Sequence, residues 1–372
     1  MKKNKLLITI GAVVALVVIG FLVGRNHINT DNVFRIGVIL PLTGSYSNEG
    51  LRGLESMSMA AEEINSNTNL RYKVNLIFED DKYTSKDSVA AANKILLGGA
   101  DAFISFGTPP TQAIKERINR ESIPLLAMDG SAGLAASSKW IFECFPQLFD
   151  VGSAAGRYSK TAFSPAQTAL LTMRCSGGDD FARGFTQNNS GNVTHDVYDP
   201  DAMDARPQIT KLLQKHPDVF CVFGYGAGYT TVMSQLLESG YTGIILTDSN
   251  LTSILDKLSK SNRDIYFVSQ NFGPATSSKA CSEFMRKMQD VRHVEPTVFS
   301  AHLYEMVKML SFVAEQNSKE RQAVRDGMAA LHDYPSMFGP MSFDEEGSVH
   351  LPFSAMKYTS DLKIVLVSGS IQ

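Results

Sequence analysis

The stretch Val33-Phe34-Arg35-Ile36-Gly37-Val38-Ile39-Leu40, followed by Pro41-Leu42-Thr43-Gly44, decides the fold. A short apolar run without strict alternation, stopped by a proline, reads as a parallel strand covered on both faces. From Gly50 to Asn65, Leu51, Leu54, Met57, Ala61 and Ile64 fall on one helical stripe. Tyr72–Phe78 then alternates as a strand, and Ser85–Leu97 is helical with Gly98-Gly99 as its stop. Ala102–Phe106 is a strand, a helix begins at Pro109, and Ile123–Ala127 is the next strand.

The rhythm restarts after about residue 150, with strands at Thr168–Met173, Val193–Tyr198, Val219–Phe223 and Gly243–Thr247. Helices at Asp179–Asn188, Asp204–Lys215 and Ala227–Ser239 alternate with them, and Asp264–Val268 is a weaker last strand. Two consecutive strand–helix arrays predict two doubly wound α/β lobes with parallel sheets. Beyond Gly273 the pattern turns helical, over Ser277–Val291, Pro296–Gln316 and Lys319–His332, before a short β tail. No low-complexity linker separates the arrays, so the lobes must be joined by short crossing segments.

Composition agrees. The 372 residues suggest two or three domains, and 44% apolar residues supply a sizeable core. With 35 basic against 38 acidic residues there is no surplus to drive phosphate-backbone binding, which argues against nucleic acid. The N-terminus is different. Lys2, Lys3 and Lys5 precede an uncharged run of 19 residues, Leu6–Gly24, and without those lysines the remainder carries −6. A basic start before such a run is a secretory signal if cleaved and a single-pass anchor if not. Both readings leave residues 33–372 outside the cytoplasm.

Several chemistries lack their residues. The seven histidines are scattered without metal-ligand spacing, and neither a Walker loop nor a G-x-S-x-G elbow occurs. The glycine cluster Gly224-Tyr225-Gly226-Ala227-Gly228 fits a strand-to-helix turn facing a cleft better than a dinucleotide site, although Asp248 is loosely placed for one. No cofactor and no metal are therefore expected. Cys144, Cys175, Cys221 and Cys281 contain no C-x-x-C and read as buried free thiols. Asp80-Asp81 and Asp179-Asp180 read as solvated or capping acids.

These residues together resemble a known group. A first strand running into P-L-T-G (Pro41–Gly44), a glycine-led helix ending in Glu62-Glu63-Ile64-Asn65, and then Glu79-Asp80-Asp81 are similar to the type I periplasmic solute-binding proteins. The branch is that of the leucine/isoleucine/valine-binding proteins of ABC importers. Ala91-Ala92-Asn93-Lys94, FGTPPTQAI (106–114) and Phe338-Gly339-Pro340-Met341-Ser342-Phe343-Asp344-Glu345-Glu346-Gly347 also fit it, over about Phe34 to Val367. The resemblance implies two lobes joined by three crossing hinge segments that close on a ligand. It divides the chain into a signal or anchor (1–32), lobe one (33–148 and 273–339), lobe two (149–272) and a lobe-two or hinge β tail (340–372). An ABC permease in the membrane would be the partner, besides a small-molecule ligand.

Open α/β sheets bind ligands beyond the carboxyl ends of their strands. In lobe one those ends include Gly107–Thr111 and Met128–Gly133; in lobe two they include Gly224–Tyr229 and Thr247–Leu251. In the amino-acid binders the two lobe-one loops hold the ligand's α-carboxylate, so Thr108 and Ser131 match by position, and Gly130 supplies a close backbone approach. Helix capping is the other reading of both hydroxyls. Tyr225 matches a pocket aromatic. An acid facing the ligand ammonium falls near Asp248 and Ser249, shifted by one residue. Glu49 stands where the amino-acid binders place an aromatic or small residue. It reads equally as a ligand contact and as an acid at a helix N-terminus. The family's lobe-one disulfide is missing, its positions falling at Tyr83 and Gly107. A tethered sensor on the same fold, through residues 6–24, and an enzyme on an α/β scaffold are the competing functions.

Overall fold

The computed structural model describes residues 32–44, 46–131, 133–248, 261–270, 272–273, 278–359, 361 and 363–371. The apolar run 6–24 and Ser249 lie outside the described residues. Among the described residues no helix is long and apolar enough to cross a membrane.

In chain order the elements are β1 (Val33–Leu40), α1 (Ser47–Ser66), β2 (Lys73–Asp80), α2 (Ser85–Leu97), β3 (Ala102–Phe106), α3 (Thr108–Glu121), β4 (Leu125–Met128) and β5 (Ile141–Glu143). There follow α4 (Leu148–Phe163), β6 (Gln167–Met173), α5 (Ser176–Asn188), β7 (Asn192–Tyr198), α6 (Arg206–Leu213), β8 (Val219–Phe223), α7 (Gly226–Glu238), β9 (Ile244–Thr247) and β10 (Ile265–Gln270). The chain ends with α8 (Lys279–Asp290), α9 (Val298–Gln316), α10 (Arg321–Ala329), β11 (Tyr334–Ser336), β12 (Gly339–Phe343), β13 (Val349–His350), β14 (Phe353–Tyr358) and β15 (Ile364–Ile371).

Two sheets organise these elements. The first has the order β2-β1-β3-β4-β5 and is parallel throughout. The second has the order β15-β14-β10-β9-β8-β6-β7, parallel from β10 to β7, with β14 and β15 added antiparallel at one edge. In both sheets the central strands, such as β3 and β8, are buried along their whole length, as unalternating apolar runs should be.

Apolar burial divides the chain in the same way. One core joins Phe34, Ile36 and Ile104 to Met57 of α1 and to Leu303 and Leu310 of α9, so the late helices pack on the first sheet. Two others cover opposite faces of the second sheet, with Tyr229 and Met233 on one and Phe181 and Phe185 on the other. Met341, Phe343, Val349 and Leu351 belong to the first core, whereas β14 and β15 extend the second sheet. The chain thus passes between lobes three times, around residues 144–148, 270–278 and 351–353.

Helix α4 has no counterpart in the apolar periodicity. Its buried residues are Val151, Gly152, Ser153, Ala154, Ala155, Gly156, Tyr158 and Ser159, mostly too small to register as a stripe. A methyl group at Gly152 would sit 2.1 Å from the carbonyl oxygen of Phe181, and one at Gly156 would sit 2.5 Å from that of Phe185. Gly184 answers from α5, where a methyl group would lie 2.1 Å from the Phe149 carbonyl oxygen. The two helices meet backbone to backbone, which only glycine permits.

The four cysteines are unpaired; Cys144, Cys221 and Cys281 are buried and Cys175 is partly exposed. Asp81 corrects the sequence expectation, since it is fully buried rather than solvated.

Candidate functional site

The carboxyl ends of the two sheets face each other, and the loops there carry the candidate chemistry. In lobe one, Asp80 fixes the turn after β1. Its carboxylate accepts from the backbone N–H of Leu42 (2.9 Å), Thr43 (3.2 Å) and Lys82 (2.9 Å) and from the Thr43 hydroxyl (2.6 Å). Burial acts to raise its pKa, but these donors outweigh it and hold the carboxyl below its ordinary value. Asp81 accepts from the N–H of Tyr83 at 2.9 Å and from the Ser88 hydroxyl at 3.1 Å, and its own burial pushes its pKa up.

These two acids hold Lys82 and Tyr83 in the left-handed region, at φ 51° and 62°. Each such non-glycine residue costs about 1–3 kcal/mol and persists only when its surroundings fix it. The strain puts the Tyr83 ring against Gly107, whose φ of 86° and lack of a side chain leave the space. A methyl group at Gly107 would lie 2.4 Å from the ring. Tyr83 and Gly107 are therefore in contact, joined by packing.

Thr108 opens α3, but Gly107 is the N-cap, so the hydroxyl does not cap the helix. It donates instead to Asp129 Oδ1, at 2.5 Å. The N–H of Ser131 donates to the same oxygen at 2.9 Å. Asp129, at the end of β4, is 2% exposed, and burial pushes its pKa up. Its Oδ2 has no hydrogen-bond partner, and the Ser131 hydroxyl lies beside this carboxylate without a bond of good geometry. Gly130 packs against the first crossing segment; its carbonyl accepts from the N–H of Leu148 at 2.9 Å.

Lobe two approaches with Cys175, Tyr225 and Asp248. Tyr225 precedes α7 as its N-cap, and its ring centroid is 6.2 Å from that of Tyr46 in lobe one. Tyr46 in turn lies 4.1 Å from Tyr83. Burial pushes the Tyr83 and Tyr225 hydroxyls well up and that of Tyr46 up, so all three are neutral. The Tyr225 hydroxyl contacts the Cys175 thiol. Behind them, Gly224 holds φ 155° and leaves room for the Tyr198 hydroxyl, 1.8 Å from where a methyl group would be. Asp248 is 4% exposed, near Tyr198 and Tyr229.

The structure thus brings Thr108, Gly130 and Ser131 together around Asp129, and sets Tyr225 against Tyr46. Glu49 is engaged elsewhere: it pairs with Arg52 at 2.6 Å and accepts from the hydroxyl of Thr297, the N-cap of α9, at 2.9 Å. Ser249 is not described. Asp129 and Tyr46 were not singled out from the sequence, and Tyr83 was not read as a site residue. Asp129 stands inside the Met128–Gly133 loop, where an acid between an apolar strand and Gly130-Ser131 is the signal. Among the described residues no group of three or more His, Cys, Asp or Glu side chains could hold a metal ion.

Two α/β lobes crossed by three segments, with loops converging from both sheets, define a class of ligand-closing proteins. The profile described as periplasmic binding protein matches residues 33–361, and the chain belongs to that family, with the type I fold. Among solved structures, the branched-chain amino acid transporter substrate-binding protein LivJ from Streptococcus pneumoniae, in complex with isoleucine, is similar at a TM-score of 0.82 and 18% identity, over 90% of this chain and 99% of that one. The leucine-binding protein LivK from Thermotoga maritima gives a TM-score of 0.79 and 18% identity, over 91% and 98%. A solute-binding protein of an ABC transporter from R. palustris, in complex with benzoate, gives 0.79 and 15%, over 91% and 96%. No curated protein sequence matches the chain.

Proposed function

We propose that this chain is the extracytoplasmic solute-binding protein of an ABC importer, which closes its two lobes over a small amino-acid-like or amide-like solute and delivers it to the permease. The observation that carries the reading is the convergence of Tyr46, Tyr83 and Asp129 from lobe one with Tyr225, Cys175 and Asp248 from lobe two at the carboxyl ends of both sheets. Thr108, Gly130 and Ser131 form the lobe-one wall, and Asp248 belongs to the opposite one. The function is binding, not catalysis. The basic start and apolar run at residues 2–24 support export. The test is thermal melting against a broad panel of amino acids, amides, amines and carboxylates. Saturation with a true ligand at a hundred times its Kd should stabilise the fold by about 2.7 kcal/mol. A folded protein whose melting no solute shifts would contradict the reading.

The length of the run 6–24 favours a second reading, a membrane-tethered sensor of the same solute. N-terminal sequencing of the exported protein separates the two, since cleavage near residue 24 excludes a tether through that run.

A further inference from the structure

We propose, building on the solute-binding reading, that the solute is an organic cation with N–H donors, a primary ammonium or a guanidinium, whose charged head is received by Asp129 and the tyrosines around it. The two donors that would hold a ligand carboxylate in lobe one are already engaged. The Thr108 hydroxyl and the Ser131 N–H both donate to Asp129 Oδ1, at 2.5 and 2.9 Å. The chain's own carboxylate therefore occupies the anion cradle.

That carboxylate is only partly satisfied by its own loop. Asp129 is 2% exposed, and its Oδ2 has no hydrogen bond of good geometry, the Ser131 hydroxyl and the Gly130 N–H lying beside the carboxylate. No lysine or arginine among the described residues forms an ion pair with it. The cations near the loop ends have their own acids: Arg174 is 2.8 Å from Asp199, and Lys82 is 3.9 Å from Asp87. A buried acid with an unused acceptor and no cation is completed by a ligand that brings both donor and charge. Aromatic faces add attraction for the same charge. Tyr46, Tyr83 and Tyr225 supply them from both lobes, with centroids 4.1 and 6.2 Å apart along the series. Asp248, 4% exposed, adds a second acid from lobe two. A ligand carboxylate in the same place would meet like charge. At about 4 Å and an effective dielectric of about 20, that repulsion weakens binding on the order of a thousandfold.

Matched solutes test this on the unmodified protein. Isopentylamine, phenethylamine and agmatine are compared with isocaproate, hydrocinnamate and isocaproamide by thermal melting and calorimetry. At least one amine or guanidine should bind, and its carboxylate counterpart should not. Asp129→Asn should then fold and melt without solute at or above the parent's temperature, and lose about a hundredfold or more in amine affinity. Binding of the carboxylates or the amide without the amines would overturn the inference and leave the solute-binding reading standing. So would an Asp129→Asn variant that retains amine affinity within about twofold. If the variant does not fold, the amine-to-carboxylate comparison decides alone. Silence across every solute class would remove both readings.

Discussion

At the scale of the residue, burial decides which acids matter. Glu143 ends β5 at the first crossing segment and is fully buried. Its Oε2 accepts from the Ser348 hydroxyl at 2.6 Å, and Gln147 donates to the same hydroxyl at 3.0 Å, so one acid ties the first crossing to the approach of the third. Its Oε1 has no hydrogen bond of good geometry, the N–H groups of Ala135 and Leu134 lying beside the carboxylate. Burial pushes its pKa up to about 7. A raised pKa means that the folded state holds the proton more tightly. The contribution to stability is complete below the ordinary carboxyl range and is lost as pH rises through about 7. Glu143→Gln should therefore be more stable than the parent at pH 8 by about 1–3 kcal/mol, with the difference vanishing near pH 4.5. Urea denaturation at the two pH values measures it; an equal difference at both would refute a charge origin. Thr108 and Ser131 were legible as site candidates because they follow apolar strands directly. Asp129 was not, because what distinguishes it is the pair of donors on one oxygen and the absence of donors on the other. Tyr83 was hidden for a similar reason, since its place depends on two consecutive left-handed residues and on the open side of Gly107.

At the scale of the element, strands and amphipathic helices followed from periodicity. Val33–Leu40, Ser85–Leu97, Ala102–Phe106 and Val219–Phe223 occur with the bounds their residues predict. Helix α4 did not follow, because between Val151 and Tyr158 it buries glycine, serine and alanine, which leave a weak apolar stripe. The start of α5 escaped for the same reason: Gly177 and Gly178 look like loop residues, yet a methyl group at Gly178 would sit 1.9 Å from the Met173 carbonyl oxygen. Gly152→Val should then force α4 and α5 apart and destabilise lobe two by about 3 kcal/mol or more, beyond the usual cost of overpacking because backbone must move. A fall in the urea midpoint, with lobe-two amides losing exchange protection first, would bear this out. A variant as stable as the parent would show that the close approach is not required.

At the scale of the whole molecule, two strand–helix arrays gave two lobes, while the balanced charge argued against a nucleic-acid surface. The return of α8, α9 and α10 to the first core is a tertiary event that periodicity only suggests, and the split of the β tail is another. Met341 to Leu351 serve the first core because their apolar side chains meet α9, while Phe353 onward finds an open edge of the second sheet. Three short crossings between two rigid cores favour hinge bending over internal rearrangement. They also place Tyr46 and Asp129 on one moving body and Tyr225 and Asp248 on the other. A solute that touches both must draw the lobes together. Small-angle X-ray scattering, without solute and at saturation with the solute giving the largest melting shift, tests this most directly. A smaller radius of gyration on saturation is the predicted result, and superimposable curves at calorimetrically proven saturation would contradict closure around a solute held between the lobes.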